Sequence, residues 1–380
     1  MKNLSRLLII VCSLICVDPA GAQPASAQPL DQTQSKTAPV WELVKVDCKR
    51  ASLRGLHVLD SKHIFVSGGK GIVAHSVDGG TNWNVQSVAG AEELAFRDIH
   101  AIDTNNVLIV SAGTPARIYR SSDGCQTWTK VFERTDPKFF FDAIDFWDAQ
   151  AGIVMGDPID GKLCLLKTID GGQTWNQLET APKTNPGEAG FAASGTNTIT
   201  AGTNRLLVAL GSAAEGTSPS GSRVLISENR GATWTAAEVP IQRNPSAGIF
   251  SLLFSNDQRV VAVGGDYKNP EAINDTLARS MDGGKTWSSQ KLADAPSTKT
   301  DLSAANRLTG FRSCVICPDS RDHLIAVGPN GTDESMDFGA TWTRRSSEGF
   351  HAIDNSSDGK SIWATGPEGR IGKWIGTKEK

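Results

Sequence analysis

"SMDGGKTW", residues 280–287, decides the fold because it is not alone. Variants stand at 76–83 ("SVDGGTNW"), 121–128 ("SSDGCQTW"), 168–175 ("TIDGGQTW"), 227–234 ("SENRGATW") and 335–342 ("SMDFGATW"). Self-similarity at a steady period marks a repeat architecture. The closing tryptophans, Trp83, Trp128, Trp175, Trp234, Trp287 and Trp342, are spaced by 45, 47, 59, 53 and 55 residues. Those intervals suit a unit of four short strands with variable loops.

The residues of the stretch suit a hairpin tip. Glycines supply the positive φ that a tight turn needs. The Asp282 carboxylate can accept backbone N–H bonds across the turn, and the Ser280 hydroxyl adds another. Trp287, at the start of the next strand, can pack between sheets. Each residue thus has a local task and none needs a substrate. Asp78, Asp123, Asp170, Asn229, Asp282 and Asp337 are the expected turn-bonding positions. Within each interval, β-branched runs alternate with Gly/Asn/Asp punctuation, and no helix longer than a turn is expected.

A seventh unit lacks the motif. Residues 350–376, "FHAIDNSSDGKSIWATGPEGRIGKWIG", supply three strands and stop. "VWELVKVD" (40–47) matches the segments that follow each copy, with Trp41 in the tryptophan position. The sequence therefore predicts an all-β, seven-bladed β-propeller over 39–376, with four-stranded blades and an N-terminal strand completing the last one. Such closure leaves no unpaired edge.

The motif resembles the Asp-box, or BNR repeat, S-x-D-x-G-x-T-W. The copies at 168–175, 280–287 and 335–342 keep its key positions, with Thr168 in place of Ser. Asn82 replaces Thr in the first copy, Cys125 replaces Gly in the second and Asn229 replaces Asp in the fourth. Blade length and the unit "DAIDFWDAQAGIVMGDPIDGKLCLLKTIDGGQTW" (142–175) are similar to the photosystem II stability/assembly factor family and its bacterial relatives. That resemblance implies a non-catalytic platform that binds proteins through an arginine-bearing face. It places the ligand face opposite the Asp-boxes, where the first strands begin. Aligning those starts gives a column of Arg54, Arg97, Asp142, Ala192, Ser251, Arg312 and His351, each after a Phe or Leu. Three arginines at one mouth would suit a carboxylate or phosphate. Pairing with Asp98 or Asp142 would instead make them channel lining. The second-to-third loops "GDPIDG" (156–161) and "GDYKNPEAIND" (265–275) bring Asp157, Asp160, Asp266, Tyr267, Lys268 and Glu271 to the same face. The connection 293–310 and the insertion 211–222 are candidate rim segments.

The Asp-box also resembles sialidases, which implies an alternative. A sialidase-like glycosidase would use Tyr267 as nucleophile with Glu271, Asp142 as acid/base and Arg54, Arg97 and Arg312 on the substrate carboxylate. The family's Phe/Tyr-Arg-Ile-Pro motif is missing, and "LRGL" (53–56) replaces it poorly. No dinucleotide fingerprint, haem motif or metal-spaced histidine set is present, so no cofactor or metal is expected.

Ahead of the repeats, Lys2 and Arg6 precede the apolar run "LLIIVCSLICV" (7–17), and Ala20 and Ala22 occupy the small-residue positions of a cleavage site. A signal peptide over 1–22 and a polar leader over 23–38 are expected, giving an exported, periplasmic or secreted chain. Lipoprotein processing at Cys16 is less well supported by its neighbours Ser13 and Ile15. Removing Lys2, Arg6 and Asp18 moves the formal charge from −3 to −4. A near-neutral chain without basic runs argues against nucleic acid, and no later stretch is long and apolar enough to span a membrane. A protein or anionic ligand is the expected partner, and a monomer the expected state. Cys48, Cys125, Cys164, Cys314 and Cys317 are too scattered for a disulfide framework, and "CVIC" (314–317) lies in a strand-like run.

Overall fold

A computed structural model describes residues 40–212, 221–273, 275–289, 307–318 and 322–376. The expected signal peptide and leader, and parts of both candidate rim segments, lie outside these residues. Seven antiparallel four-stranded sheets make up the described part. We number them as blades I (53–87), II (95–134), III (141–177), IV (198–242), V (247–289), VI (314–346) and VII (352–374). Trp41–Val44 joins blade VII as its outer strand, with Trp41 opposite Trp374 and Val44 opposite Ile371. This is the closure expected from the sequence. One 3-10 turn, Pro367–Gly369, is the sole helical element among the described residues.

Second strands such as "VVAV" (260–263) are apolar throughout because both their faces are covered. Side chains alternate across a strand, so Val260 and Ala262 pack toward blade IV while Val261 and Val263 pack toward blade VI. Each of the seven interblade gaps holds its own buried apolar cluster. Trp41 fills the gap between blades VI and VII, its centroid 4.8 Å from Phe350, and its indole N–H reaches Thr332 Oγ1 at 3.0 Å.

The Asp-boxes are turn structures in detail. Ser280 Oγ donates to Asp282 Oδ1 at 2.8 Å and accepts the Gly284 N–H at 2.8 Å. Asp282 Oδ1 accepts the Thr286 N–H at 2.8 Å, and Thr286 Oγ1 donates to Oδ2 at 2.6 Å. Both central residues of every box have positive φ, which glycine adopts without strain; Arg230, Phe338 and Cys125 do so as exceptions. Asn229 reproduces the bonds of Asp through Oδ1, and its amide donates to Thr233 Oγ1 at 2.8 Å. Asn82 replaces Thr by donating its own amide to Asp78 Oδ2 at 2.7 Å. In five boxes the tryptophan N–H bonds the carbonyl three residues back. In the second box the Gln86 amide takes the Cys125 carbonyl instead, and Trp128 Nε1 has no partner.

Cys48, Cys125, Cys164 and Cys314 are buried thiols. Cys314 is wholly buried on the strand Cys314–Ile316, where burial pushes its thiol pKa up.

Candidate functional site

In blades I to III the first strand carries a residue packed between blades followed by one that faces the channel mouth. In blades I to III a β-bulge falls on the second of these. Leu53 pairs with Gly68 and Gly55 with Ser67, so Arg54 is left outside the ladder. Arg97 and Asp142 are skipped in the same way. A bulge re-aims the extra side chain, and here it turns all three into one cavity of about 480 Å³.

In blade V the skipped residue is Phe250, between Ile249 and Ser251. In blade VI, Cys314 pairs with Val327 just as Ser251 pairs with Val263, which places Ser313 in the mouth position and Arg312 in the packing position. Phe250, Ser313 and His351 accordingly line the cavity. Arg312 does not. It is wholly buried and bonds Asp333 Oδ2 through Nε at 3.0 Å and Nη2 at 2.7 Å. Thr309 Oγ1 at 2.6 Å and Asn330 Oδ1 at 2.5 Å complete its shell. The three-arginine column of the sequence is therefore two arginines and a core ion pair. The sequence alignment slipped by one residue in blades V and VI because Phe250 and Phe311 were matched to the packing phenylalanines Phe96 and Phe141.

Blade IV departs further. Its first strand is Thr198–Ala201, not the segment starting at Phe191. Residues 190–197, "GFAASGTN", are poor strand formers, and they enter the channel instead. The Ala193 and Ala192 carbonyls meet Arg54 Nη1 at 3.5 Å and Arg97 Nη1 at 3.4 Å. Ser194 Oγ donates to the Ser313 carbonyl at 2.9 Å, and Thr196 Oγ1 to Ser251 Oγ at 2.8 Å. Gly195, at φ +79°, leaves room for the Asp98 carboxyl, which a Cβ there would overlap at 2.2 Å. The segment bonds blades I, II, III, V and VI and forms the partition between the two ends of the channel.

At the mouth, Arg54 and Arg97 are half-buried and, among the described residues, have no carboxylate within ion-pair range. Their contacts to backbone carbonyls are long, and Arg97 Nε has no partner. Burial, then the charge of Arg97, lowers the Arg54 pKa to about 10. His351 bonds Ser52 Oγ at 3.2 Å, and burial with the charges of Arg54, Arg97 and Arg370 holds it down to about 3, so it is a neutral ring. Asp142 is 1% exposed and its Oδ2 accepts no hydrogen bond. Asp157 Oδ1 accepts the Gly190 N–H at 3.2 Å. Burial pushes both carboxyls up, that of Asp157 to about 6, and Asp157 adds to the rise at Asp142. The opposite wall is aromatic: Phe191 stacks on Phe250 at 4.1 Å, Phe311 meets Phe250 edge-on at 4.5 Å, and the half-exposed Tyr267 closes the side.

Other residues of the sequence column and loops fall elsewhere. Ser251 bonds Thr196 and the Val315 N–H inside the channel. Asp266 caps a turn by accepting the Lys268 N–H at 2.9 Å, and Asp160 pairs with Lys138 at 2.8 Å. Glu271 is exposed and does not line the cavity. Tyr267, Glu271 and three arginines are thus not brought together. Phe140, Phe191, Phe250 and Ser313 are mouth residues that sequence reasoning missed. The bulge that sets this column leaves no composition signal.

The far end of the channel carries the opposite character. A cavity of about 330 Å³ is lined there by Asp98, Asp145, Asp354, His57 and His100, and by no Lys or Arg. These carboxyls cross-link blades: Asp354 Oδ2 accepts the Val58 N–H at 2.7 Å, Asp98 Oδ2 that of Ile144 at 2.8 Å and Asp145 Oδ2 that of Thr200 at 2.7 Å. Burial pushes Asp354 up to about 7 and Asp145 to about 6, and brings His100 down to about 4. The sequence scattered its histidines over the blades; the fold brings His57 and His100 to 4.6 Å.

Residues 33–137 match a family model described as photosynthesis system II assembly factor YCF48. The photosystem II assembly lipoprotein Ycf48 of Synechococcus sp. (strain CC9902) is 26% identical over 175 residues, 45% of this chain and 50% of that protein. The chain thus spans about half the length of this curated relative. The solved structure of YCF48 bound to D1 peptide superposes with a TM-score of 0.61 at 16% identity, over 91% of this chain and 99% of the other. YCF48 from Cyanidioschyzon merolae gives 0.58 at 15% identity, over 88% and 98%. The chain is an Asp-box, or BNR-repeat, β-propeller similar to the photosystem II stability/assembly factors.

Proposed function

We propose that this chain is an exported, non-catalytic propeller that binds a protein segment at the Arg54/Arg97 mouth. One observation carries the reading: two guanidinium groups without ion-pair partners among the described residues share a cavity of about 480 Å³ with an aromatic wall. A carboxylate would replace the long carbonyl contacts of both arginines with charge-assisted bonds. An apolar side chain beside it would cover Phe191, Phe250 and Phe311. Asp142, Asp157, Tyr267 and His351 shape the same pocket. The solved relative that holds a peptide supports a polypeptide as occupant, and the lipoprotein relative supports export.

The test is capture of envelope proteins on the purified chain, compared with an Arg54→Ala/Arg97→Ala double variant, followed by peptide mapping of what is retained. Equal retention by both forms would overturn the reading. Turnover of a fluorogenic sialoside that disappears with Tyr267→Phe would establish the glycosidase alternative instead.

A further inference from the structure

Asp142 is out of place for an ionised carboxylate. It is 1% exposed, Oδ2 accepts no hydrogen bond, and Arg97, its near cation, is not within ion-pair distance. An ionised carboxylate is acceptor-only and is costly to bury without donors. Asp157 lines the same cavity, with a single backbone donor at 3.2 Å. Two carboxyls that share a pocket cannot both ionise cheaply. We propose that anion binding at this mouth is proton-linked, the Asp142/Asp157 pair taking up a proton as a ligand carboxylate engages Arg97. The inference rests on the anion-binding reading of the mouth.

The charge logic is local. When ionised, the pair competes with the ligand for the field of Arg97; when protonated, it leaves Arg97 to the ligand. A bound anion in turn raises the proton affinity of the pair, as linkage requires. The titratable and charged groups around the pair are Arg97 on blade II, Arg54 on blade I, Tyr267 beside blade V and His351 beside blade VII, all in the same cavity, and Cys164 on the third strand of blade III. The charge of Arg134 on blade II acts on Cys164. His351 is held down to about 3 and Cys164 up to about 12, so neither titrates near neutrality. Burial pushes both members of the pair above the usual carboxylate range, Asp157 to about 6. Affinity therefore rises as pH falls toward about 6, the value reached by Asp157.

Isothermal titration calorimetry with sodium benzoate tests this, since the probe offers one carboxylate and one ring. Binding is expected to be roughly tenfold tighter near pH ~5.5 than near pH ~8. The enthalpy should vary with buffer ionisation heat in proportion to a proton taken up. Asp142→Asn and Asp157→Asn mimic the protonated acid. At least one should bind near pH ~8 as tightly as wild type does near pH ~5.5, with no buffer dependence. Thermal melts identify which variant is folded, and the less buried Asp157 provides the safer of the two. Binding without proton uptake would overturn the inference and leave the anion site standing. PH dependence that survives in both folded variants would also overturn it. No binding at any pH would overturn both the inference and the anion site.

Discussion

Arg312 and Asp333 form an ion pair wholly removed from solvent, with Nε and Nη2 of the arginine both donating to Oδ2, at 3.0 and 2.7 Å. The pair ties the approach to blade VI to its third strand and has no access to a ligand. Breaking one side leaves an uncompensated buried charge, which costs about 3–5 kcal/mol. Asp333→Ala should therefore lower the urea midpoint strongly, while Arg312→Met, which removes the charge and keeps the volume, should cost less than Arg312→Ala. Benzoate affinity of folded Arg312→Met should match wild type.

Arg54 and Arg97 should behave in the opposite way. Burial opposes their charge, and neither has an ion pair among the described residues to lose. Arg54→Ala or Arg97→Ala should weaken anion binding by about tenfold or more, the worth of a charge-assisted contact. The melting temperature should stay within a degree or two, roughly the effect of a surface change in a chain this size. Calorimetry and melts on the same samples check both halves.

The boxes differ in what their tryptophans contribute. Trp287 Nε1 donates to the Gly284 carbonyl at 2.7 Å, whereas Trp128 Nε1 has no acceptor. Trp287→Phe should cost about 1 kcal/mol more than Trp128→Phe, the net value of one hydrogen bond. Asp282→Ala, which removes the acceptor of two Thr286 bonds and one Ser280 bond, should cost about 2 kcal/mol. Chemical denaturation of the three variants gives the comparison.

Asp354 gives the ring a pH dependence of definite sign. Its carboxyl is raised from an ordinary 3.8 to about 7, so between these values the folded state holds more protons than the unfolded one. Its contribution to stability is greatest below pH 3.8 and is lost as pH rises toward about 7. His100, lowered from 6.5 to about 4, acts in the other direction over its own window. Asp354→Asn keeps an acceptor for the Val58 N–H and removes the titration. Its melting temperature should gain on wild type by several degrees between pH ~4 and pH ~8.

Much of this was legible in the residues. Six copies of one turn set the blade count, and the unit without a box pointed to Trp41–Val44 as the closing strand. Side chains that bond their own turn, such as Asp282 and Asn229, are local chemistry and can be read locally. Arg54, Arg97, Asp142 and His351 were found because blades I, II, III and VII keep the same offset from their leading apolar residue. Arg312 was misplaced because its offset depends on pairing with a distant strand, which Phe311 disguises. The channel-crossing segment 190–197 was missed because Phe191 resembles a strand start. Only its bonds to five other blades reveal where it goes. Asp98, Asp145 and Asp354 were invisible as a group because their proximity comes from closing the ring.

The pairing of Trp41–Val44 with Ile371–Trp374 has a consequence for biogenesis. The two halves of this clasp are the first and the last of the described strands to be synthesised. A nascent chain can form blades I to VI while Trp41–Val44 waits without a partner, and the circle stays open until Ile371–Trp374 emerges. Up to that moment blades I and VI present uncovered flanks to the surroundings. Premature termination anywhere before Ile371 should therefore yield an association-prone arc rather than a smaller ring.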